Sequence, residues 1–298
     1  MVSLSCPLCG CKRYIKHKTY KSKDIINCYK ESFEGVDVFE YFPESEFSKF
    51  ECVNCRLKFY YPVLPASGEF YEFMQRFPWY YQEDKPEYDY AIEQIIKINP
   101  ETILEVGCGA GLFLDKIKSA YKVKASEYNE KAIKKLKELG IELDNETDKY
   151  DMVISFQVLE HVPNVNDFIN HCIYKLKDGG YLLIAVPNND SKYMKEFFQI
   201  LDLPPHHMTQ WSKEALLNLS KFFDLELIEY YTEEISHIQF RQLIDKRRRD
   251  IPLNNLFDGE RGRKNRDIIA TIDRVLSPYF SEIVNIEGHT HAVLMKKR

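Results

Sequence analysis

Long apolar runs are missing from this chain. No stretch approaches the roughly 18 residues of a membrane-crossing helix, and no basic segment followed by an apolar one opens the sequence. Neither a membrane span nor an export signal is expected, and the expected location is the cytoplasm. A surplus of one charge sign is missing too. The formal net charge is −5 over 298 residues, so no overall field draws the chain to nucleic acid. Nor do the eight cysteines read as a disulfide framework, because four of them form two C-x-x-C pairs. In a cytosolic chain such pairs indicate metal ligands before bridges. What remains is a length and a hydrophobic fraction of 44% that suit one sizeable α/β domain with a small accessory module.

Cys6-Pro7-Leu8-Cys9-Gly10 and Cys52-Val53-Asn54-Cys55 each offer two thiolates at the spacing of one face of a tetrahedral Zn²⁺ site. Gly10 permits the tight turn after the second ligand. Four thiolates leave no open position for a catalytic water, so the expected role is structural. Free cysteines or a redox pair are the plain alternative. Cys11 competes with Cys9 as a ligand, and Cys28 reads as a bystander. The 42 residues between the pairs carry strand-like runs at Val36 to Phe42 and Phe47 to Glu51 and no strong helix. These features divide the chain into a zinc-ribbon-like module over 1–61, a connection with lid helices over 62–99, and a main domain over 100–298. In the connection, Phe70 to Arg76 reads as a short helix, and Pro86 to Ile98 as a longer one after Tyr80-Tyr81.

The main domain opens on Ile103-Leu104-Glu105-Val106-Gly107-Cys108-Gly109-Ala110-Gly111. Thr102 to Val106 reads as a buried strand, the three glycines as a turn that lets backbone approach a ligand, and Leu112 to Ser119 as a helix. Strand, glycine turn and helix together are the nucleotide-binding start of a doubly wound α/β sheet. Glu127 closes the second strand 22 residues past Glu105, near the spacing at which a carboxylate meets ribose hydroxyls, and Tyr128 stands ready to lie against a base. Asn129 to Gly140 is the next helix, Ile141 to Asp148 a terse third strand and loop, and Tyr150 to Phe156 a fully buried fourth strand.

The spacing G-x-G-x-G, with Glu105 two residues before the first glycine, resembles motif I of the class I S-adenosylmethionine (SAM) methyltransferases. Gln157-Val158-Leu159-Glu160-His161-Val162-Pro163 is similar to the LEHV segment after their fourth strand. The turn Lys177-Asp178-Gly179-Gly180 into strand Tyr181 to Val186, ending at Pro187-Asn188, also follows the family's pattern. The resemblance implies a seven-stranded sheet whose last strand runs antiparallel, with SAM as cofactor. On it, Glu105, Gly107, Gly109 and Gly111 hold the methionine end, Glu127 the ribose, Tyr128 the adenine, and Gln157 lines the site. His161 reads as a structural histidine at a helix start.

Pro204-Pro205-His206-His207-Met208-Thr209-Gln210-Trp211-Ser212 resembles the PPHH segment of a branch that modifies sugars, lipids and other small metabolites. It also resembles the E-H-x-x-Y-F-S segment of sugar C-methyltransferases, in which the histidine is a base behind a cysteine zinc module. That alignment puts His207 at the base position and His206 at the glutamate position, and the departure at His206 favours O- or N-methylation over carbanion chemistry. An imidazole with an ordinary pKa near 6.5 suits the task. Glycan biosynthesis is the expected setting.

Strand six is Leu225 to Tyr231, and Ile283 to Lys296 holds strand seven. Between them, 233–280 reads as a helical insertion, and 236–280 holds ten basic against six acidic residues, a local +4. Arginine forks suit phosphate, so the insertion implies a phosphorylated or nucleotide-linked small-molecule acceptor, or a homodimer contact. An RNA methyltransferase is the alternative, since zinc-finger rRNA guanine methyltransferases share this layout. Against it, residues 1–61 hold ten basic and eight acidic groups, too balanced to track phosphates. A zinc adaptor with a vestigial SAM fold is the non-enzymatic alternative.

Overall fold

A computed structural model describes residues 4–43, 45–77, 80, 82–197, 199–236, 238–243 and 286–298. The arginine-rich part of the expected insertion, Tyr81 among the lid residues, and the start of the expected last strand lie outside these residues. None of the described helices is long and apolar enough to cross a membrane.

The chain begins with β1 (Tyr14–Lys21), α1 (Ser22–Ser32), β2 (Glu46–Cys52) and β3 (Lys58–Tyr61). The three strands pair antiparallel in order, with Tyr14 facing Cys52 and Phe50 facing Phe59. Helix α1 corrects the expectation of no helix between the cysteine pairs. Its buried stripe is short, Ile25, Ile26 and Tyr29, and the lysines around it dilute the apolar signal. Val36 to Phe42 is not a strand either. It holds a 3₁₀ turn at Phe39–Tyr41, with Val36 and Val38 buried against the aromatic cluster of this module.

Helices α2 (Gly68–Met74) and α3 (Pro86–Ile98) lead to the main sheet. Ser67 caps the first by accepting from Phe70 N–H, and Asn99, left-handed at φ 52°, ends the second. Then follow β4 (Thr102–Val106), α4 (Leu112–Ile117), β5 (Lys122–Ser126), α5 (Glu130–Glu138), β6 (Glu142–Leu143), β7 (Tyr150–Phe156), α6 (Val165–Lys175) and β8 (Leu176–Pro187). After α7 (Lys192–Glu196) come β9 (Thr209–Gln210), α8 (Lys213–Leu217), α9 (Leu219–Phe222), β10 (Leu225–Glu234) and β11 (Glu287–Lys297).

The seven-stranded sheet has the order β10-β11-β8-β7-β4-β5-β6, the doubly wound arrangement expected. Strands β4 to β8 pair in parallel, and β11 runs antiparallel to β8 with Val293 opposite Ile184. Strand β8 starts at Leu176, five residues before the expected Tyr181, because Leu176 pairs with Tyr150 ahead of a register irregularity that holds the Gly179 turn (φ 72°). Strand β9 leaves the main sheet and pairs with β3, so the PPHH segment extends the N-terminal sheet to four strands.

Contacts divide the chain into two units: 1–187, 199–231 and 290–298 form the first, and 188–198 with 232–289 the second. In the second, Ile235, Phe240 and Leu243 are buried beside Tyr193, Phe197 and Ile286. Asn188 Nδ2 donates there to Glu287 at 3.0 Å.

In the first unit, Gly111 sits at φ 77°, and a Cβ added there would lie 2.5 Å from Leu136 Cδ2. Gly111→Ala is expected to destabilise the chain by about 1–3 kcal/mol through overpacking and the left-handed backbone. Urea denaturation measures this, and an unchanged midpoint would contradict it.

Candidate functional site

In this sheet the winding direction changes at β4, which lies between β5 and β7, and ligands enter such a crevice at the carboxyl ends of the strands. The glycine turn follows β4 there, with Gly107, Gly109 and Gly111 all left-handed (φ 74°, 52° and 77°). Gly107 N–H donates to Ser126 O at 2.8 Å, and Gly109 N–H to Glu127 Oε2 at 2.8 Å. The other oxygen of Glu127 accepts from the N–H groups of Tyr128 and Asn129, at 2.8 and 2.9 Å. The carboxylate thus closes one side of the turn. Tyr128 itself is 88% exposed.

Glu105 is buried, and its Oε2 has no hydrogen-bond partner among the described residues. Burial pushes its carboxyl up to about 8. Gln157, left-handed at φ 54°, donates from Nε2 to Glu87 at 3.0 Å and to Thr290 at 3.4 Å. The sequence reading missed Glu87 and Thr290, which come from α3 and β11. The sequence signal for Glu87 was its spacing of four and eight residues before Ala91 and Ile95, on the apolar face of α3. A carboxylate anchored at the turn and a buried carboxylate with an unmatched oxygen form an acceptor set that fits a ligand bearing an ammonium and a diol.

The four expected cysteines converge: their sulfurs all lie within 4.8 Å of one another, Cys6 to Cys55 at 3.3 Å and Cys9 to Cys52 at 3.6 Å. A tetrahedral ion with Zn–S bonds of about 2.3 Å holds its sulfurs about 3.8 Å apart. The two knuckles fold alike. Gly10 N–H donates to Cys6 O at 2.9 Å and Arg56 N–H to Cys52 O at 3.0 Å, each from a left-handed residue. Cys11 stands aside, its Sγ 3.4 Å from Arg13 N. A hydrogen bond from Cys55 pulls Cys6 down to about 6, while burial pushes Cys52 up to about 12. Such a cluster holds several thiolates only around a cation.

The PPHH segment brings three imidazoles together. The ring centres of His161, His206 and His207 lie 4.5 to 4.8 Å apart, so His161 belongs to this cluster. His161 Nδ1–H donates to His206 O at 2.7 Å. His206 Nδ1–H donates to Leu201 O at 3.0 Å, and its Nε2 accepts from Tyr80 OH at 3.0 Å, so both of its nitrogens are engaged. His207 Nδ1 lies 3.2 Å from Asp202 Oδ1, which places its basic lone pair on Nε2. Burial pushes His206 well below the usual imidazole range and His161 down to about 4, leaving both neutral at pH 7. Beside them Glu160 is buried, with one oxygen unmatched among the described residues and its carboxyl pushed up to about 8. Asp202 was missed in the sequence, although its place five residues before His207, across a proline pair, was the signal.

A sequence profile described as "Methyltransferase domain" matches residues 81–230, half of the chain. The chain is 28% identical over 170 residues to the ubiquinone biosynthesis O-methyltransferase of Rickettsia canadensis (strain McKiel), covering 49% of this chain and 68% of that one. Against the protein of the same name from Rickettsia typhi (strain ATCC VR-144 / Wilmington) it is 33% identical over 175 residues, covering 52% and 68%. Among solved structures, coclaurine N-methyltransferase bound to N-methylheliamine and SAH is similar at 16% identity and a TM-score of 0.43, covering 71% of this chain and 72% of that one.

Glu105 predicts a proton-linked binding step. Its native carboxyl titrates about 8 against an ordinary 4.5, so the ligand-free chain loses stability as pH rises from about 4.5 through about 8. At pH 7 the carboxyl is mostly protonated. An ammonium beside it favours the carboxylate, so SAM binding at pH 7 is expected to release up to about one proton. Calorimetry in buffers of different ionisation enthalpy measures the release. Glu105→Gln should abolish it, and no release from the wild-type chain would sink the assignment.

Proposed function

Because the chain belongs to the methyltransferase-domain family and is a SAM-dependent enzyme, we propose that it methylates an oxygen atom of a hydroxylated small molecule. The observation that carries this reading is the His207–Asp202 pair at 3.2 Å. A neutral hydroxyl is a poor nucleophile until its proton has somewhere to go, whereas a neutral amine already presents its lone pair. A buried, oriented imidazole therefore serves an oxygen acceptor best. The similar ubiquinone biosynthesis O-methyltransferases support the same choice. The sugar or nucleotide-linked class of acceptor rests on the resemblance of the PPHH segment.

SAM supplies an electrophilic methyl on a positively charged sulfur when bound. In this reading the glycine turn and Glu105 receive its methionine end, Glu127 its ribose hydroxyls, and Gln157 closes the wall, while Tyr128 buries its exposed ring against the adenine. His207 takes the acceptor's proton at Nε2, and Asp202 stabilises the imidazolium that results. His206, engaged at both nitrogens, sets the stack on which His207 rests instead of moving a proton itself. The four cysteines hold a structural zinc ion.

The test is transfer of a labelled methyl from SAM to a panel of sugars, nucleotide-linked sugars and catechols. A methyl ether is expected, and products methylated only at nitrogen would overturn the reading. On the active acceptor, His207→Ala should lower kcat by about 10²–10⁴-fold, and Asp202→Asn by a smaller factor, with KM for SAM unchanged.

A further inference from the structure

The segment from Asp202 to Gln210 is held from two sides. On the core side, Glu160 O accepts Met208 N–H at 2.7 Å and Thr209 N–H at 3.1 Å, and His206 O accepts from His161. On the other side, contacts come from the N-terminal module and from the connection that follows it. Tyr29 OH donates to Leu203 O at 3.1 Å, Ala66 N–H to Pro205 O at 3.0 Å, and Lys49 Nζ to Gln210 Oε1 at 3.2 Å. Strand β9 pairs with β3, Phe59 opposite Thr209.

Tyr60 stands out among these residues because it grips the segment at both ends. Its N–H donates to Met208 O at 3.2 Å, and its hydroxyl donates to Asp202 O at 3.0 Å. The two histidines lie between those points, and Asp202, the carboxylate partner of His207, is one of them. Tyr60 is only 2% exposed and packs against Phe47, whose ring stacks on Tyr20. Its strand begins directly after the second cysteine knuckle, which Cys52 N–H closes by donating to Leu57 O at 2.9 Å. Asn218 Nδ2 ties the same knuckle to the core through Cys55 O at 3.2 Å.

We infer that Tyr60 is a positioning residue for the acceptor side of the site, and that an ion held by Cys6, Cys9, Cys52 and Cys55 keeps it in place. The catalytic meaning rests on the reading that His207 takes the acceptor's proton; the structural readouts below do not. Among the described residues no covalent bond or ion pair joins the second knuckle to the first, so without a cation hydrogen bonds alone hold the start of β3. The freed strand takes the grip on Asp202 and Met208 with it. The glycine turn does not share this dependence, because its hydrogen bonds run to Ser126 and Glu127. The cysteine centre thus acts on one half of the site and spares the other.

Hydrogen exchange on the full chain, zinc-loaded and after chelation, tests this together with calorimetry using S-adenosylhomocysteine. Chelation is expected to speed amide exchange across 203–210 by about tenfold or more, while exchange in β4 and the affinity for S-adenosylhomocysteine stay within about threefold. Retained protection at 203–210 would overturn the inference. So would loss of β4 protection and of ligand affinity along with it, the signature of general unfolding. The zinc-loaded Tyr60→Phe variant separates the tyrosine from the metal. It should keep its zinc content and S-adenosylhomocysteine affinity, speed exchange across 203–210, and lower kcat with KM for SAM unchanged. Wild-type exchange in that variant would remove Tyr60 from the account. A His207→Ala variant that turns over normally, beside intact exchange results, would instead overturn only the proton-transfer reading.

Discussion

The functional end of this chain depends on one constraint of sheet topology. Strand β4 lies between β5 and β7, and the chain winds outward from it in both directions. The crossovers on its two sides diverge and leave a crevice at the carboxyl ends of the parallel strands. Glu105 and the glycine turn come from the end of β4, Glu127 from the end of β5, and Gln157 from the end of β7. Two positions of the turn leave no room for a side chain. A Cβ on Gly107 would lie 2.5 Å from Val158 Cγ2, just as one on Gly111 would strike Leu136.

The site has two halves with different physical bases. The half assigned to the cofactor is built from backbone N–H groups and carboxylates, and one buried glutamate oxygen in it is unmatched among the described residues. The acceptor half is built from imidazoles fixed by carbonyls and by Asp202, on a segment that belongs to another sheet. Burial keeps His161 and His206 neutral, while His207 has the carboxylate of Asp202 at its Nδ1, which is why the proposed proton transfer is assigned to His207. The N-terminal module reaches the histidine cluster through a sheet that the PPHH segment extends.

Much of the cofactor half was legible in the sequence. A strand, a glycine turn, a helix and a carboxylate 22 residues on are local patterns, and local patterns survive in one dimension. The four cysteines were legible for the same reason, and the structure selects Cys9 over Cys11. The acceptor half was legible only as a pair of histidines. The partners that give them roles, Asp202, His161, Tyr80 and Tyr60, meet them through turns and strand pairing, which periodicity does not encode. Helix α1 escaped because its apolar stripe is three residues wide among lysines. The +4 insertion was a charge pattern, and most of it lies outside the described residues.

The division between halves is tested most directly by SAM affinity in two variants of the full chain, Glu127→Ala and His207→Ala, measured by calorimetry. The account predicts that Glu127→Ala weakens binding by about tenfold or more, through lost charge-assisted hydrogen bonds, while His207→Ala stays within about twofold of wild type. Unchanged affinity in Glu127→Ala, or a comparable loss in His207→Ala, would contradict it.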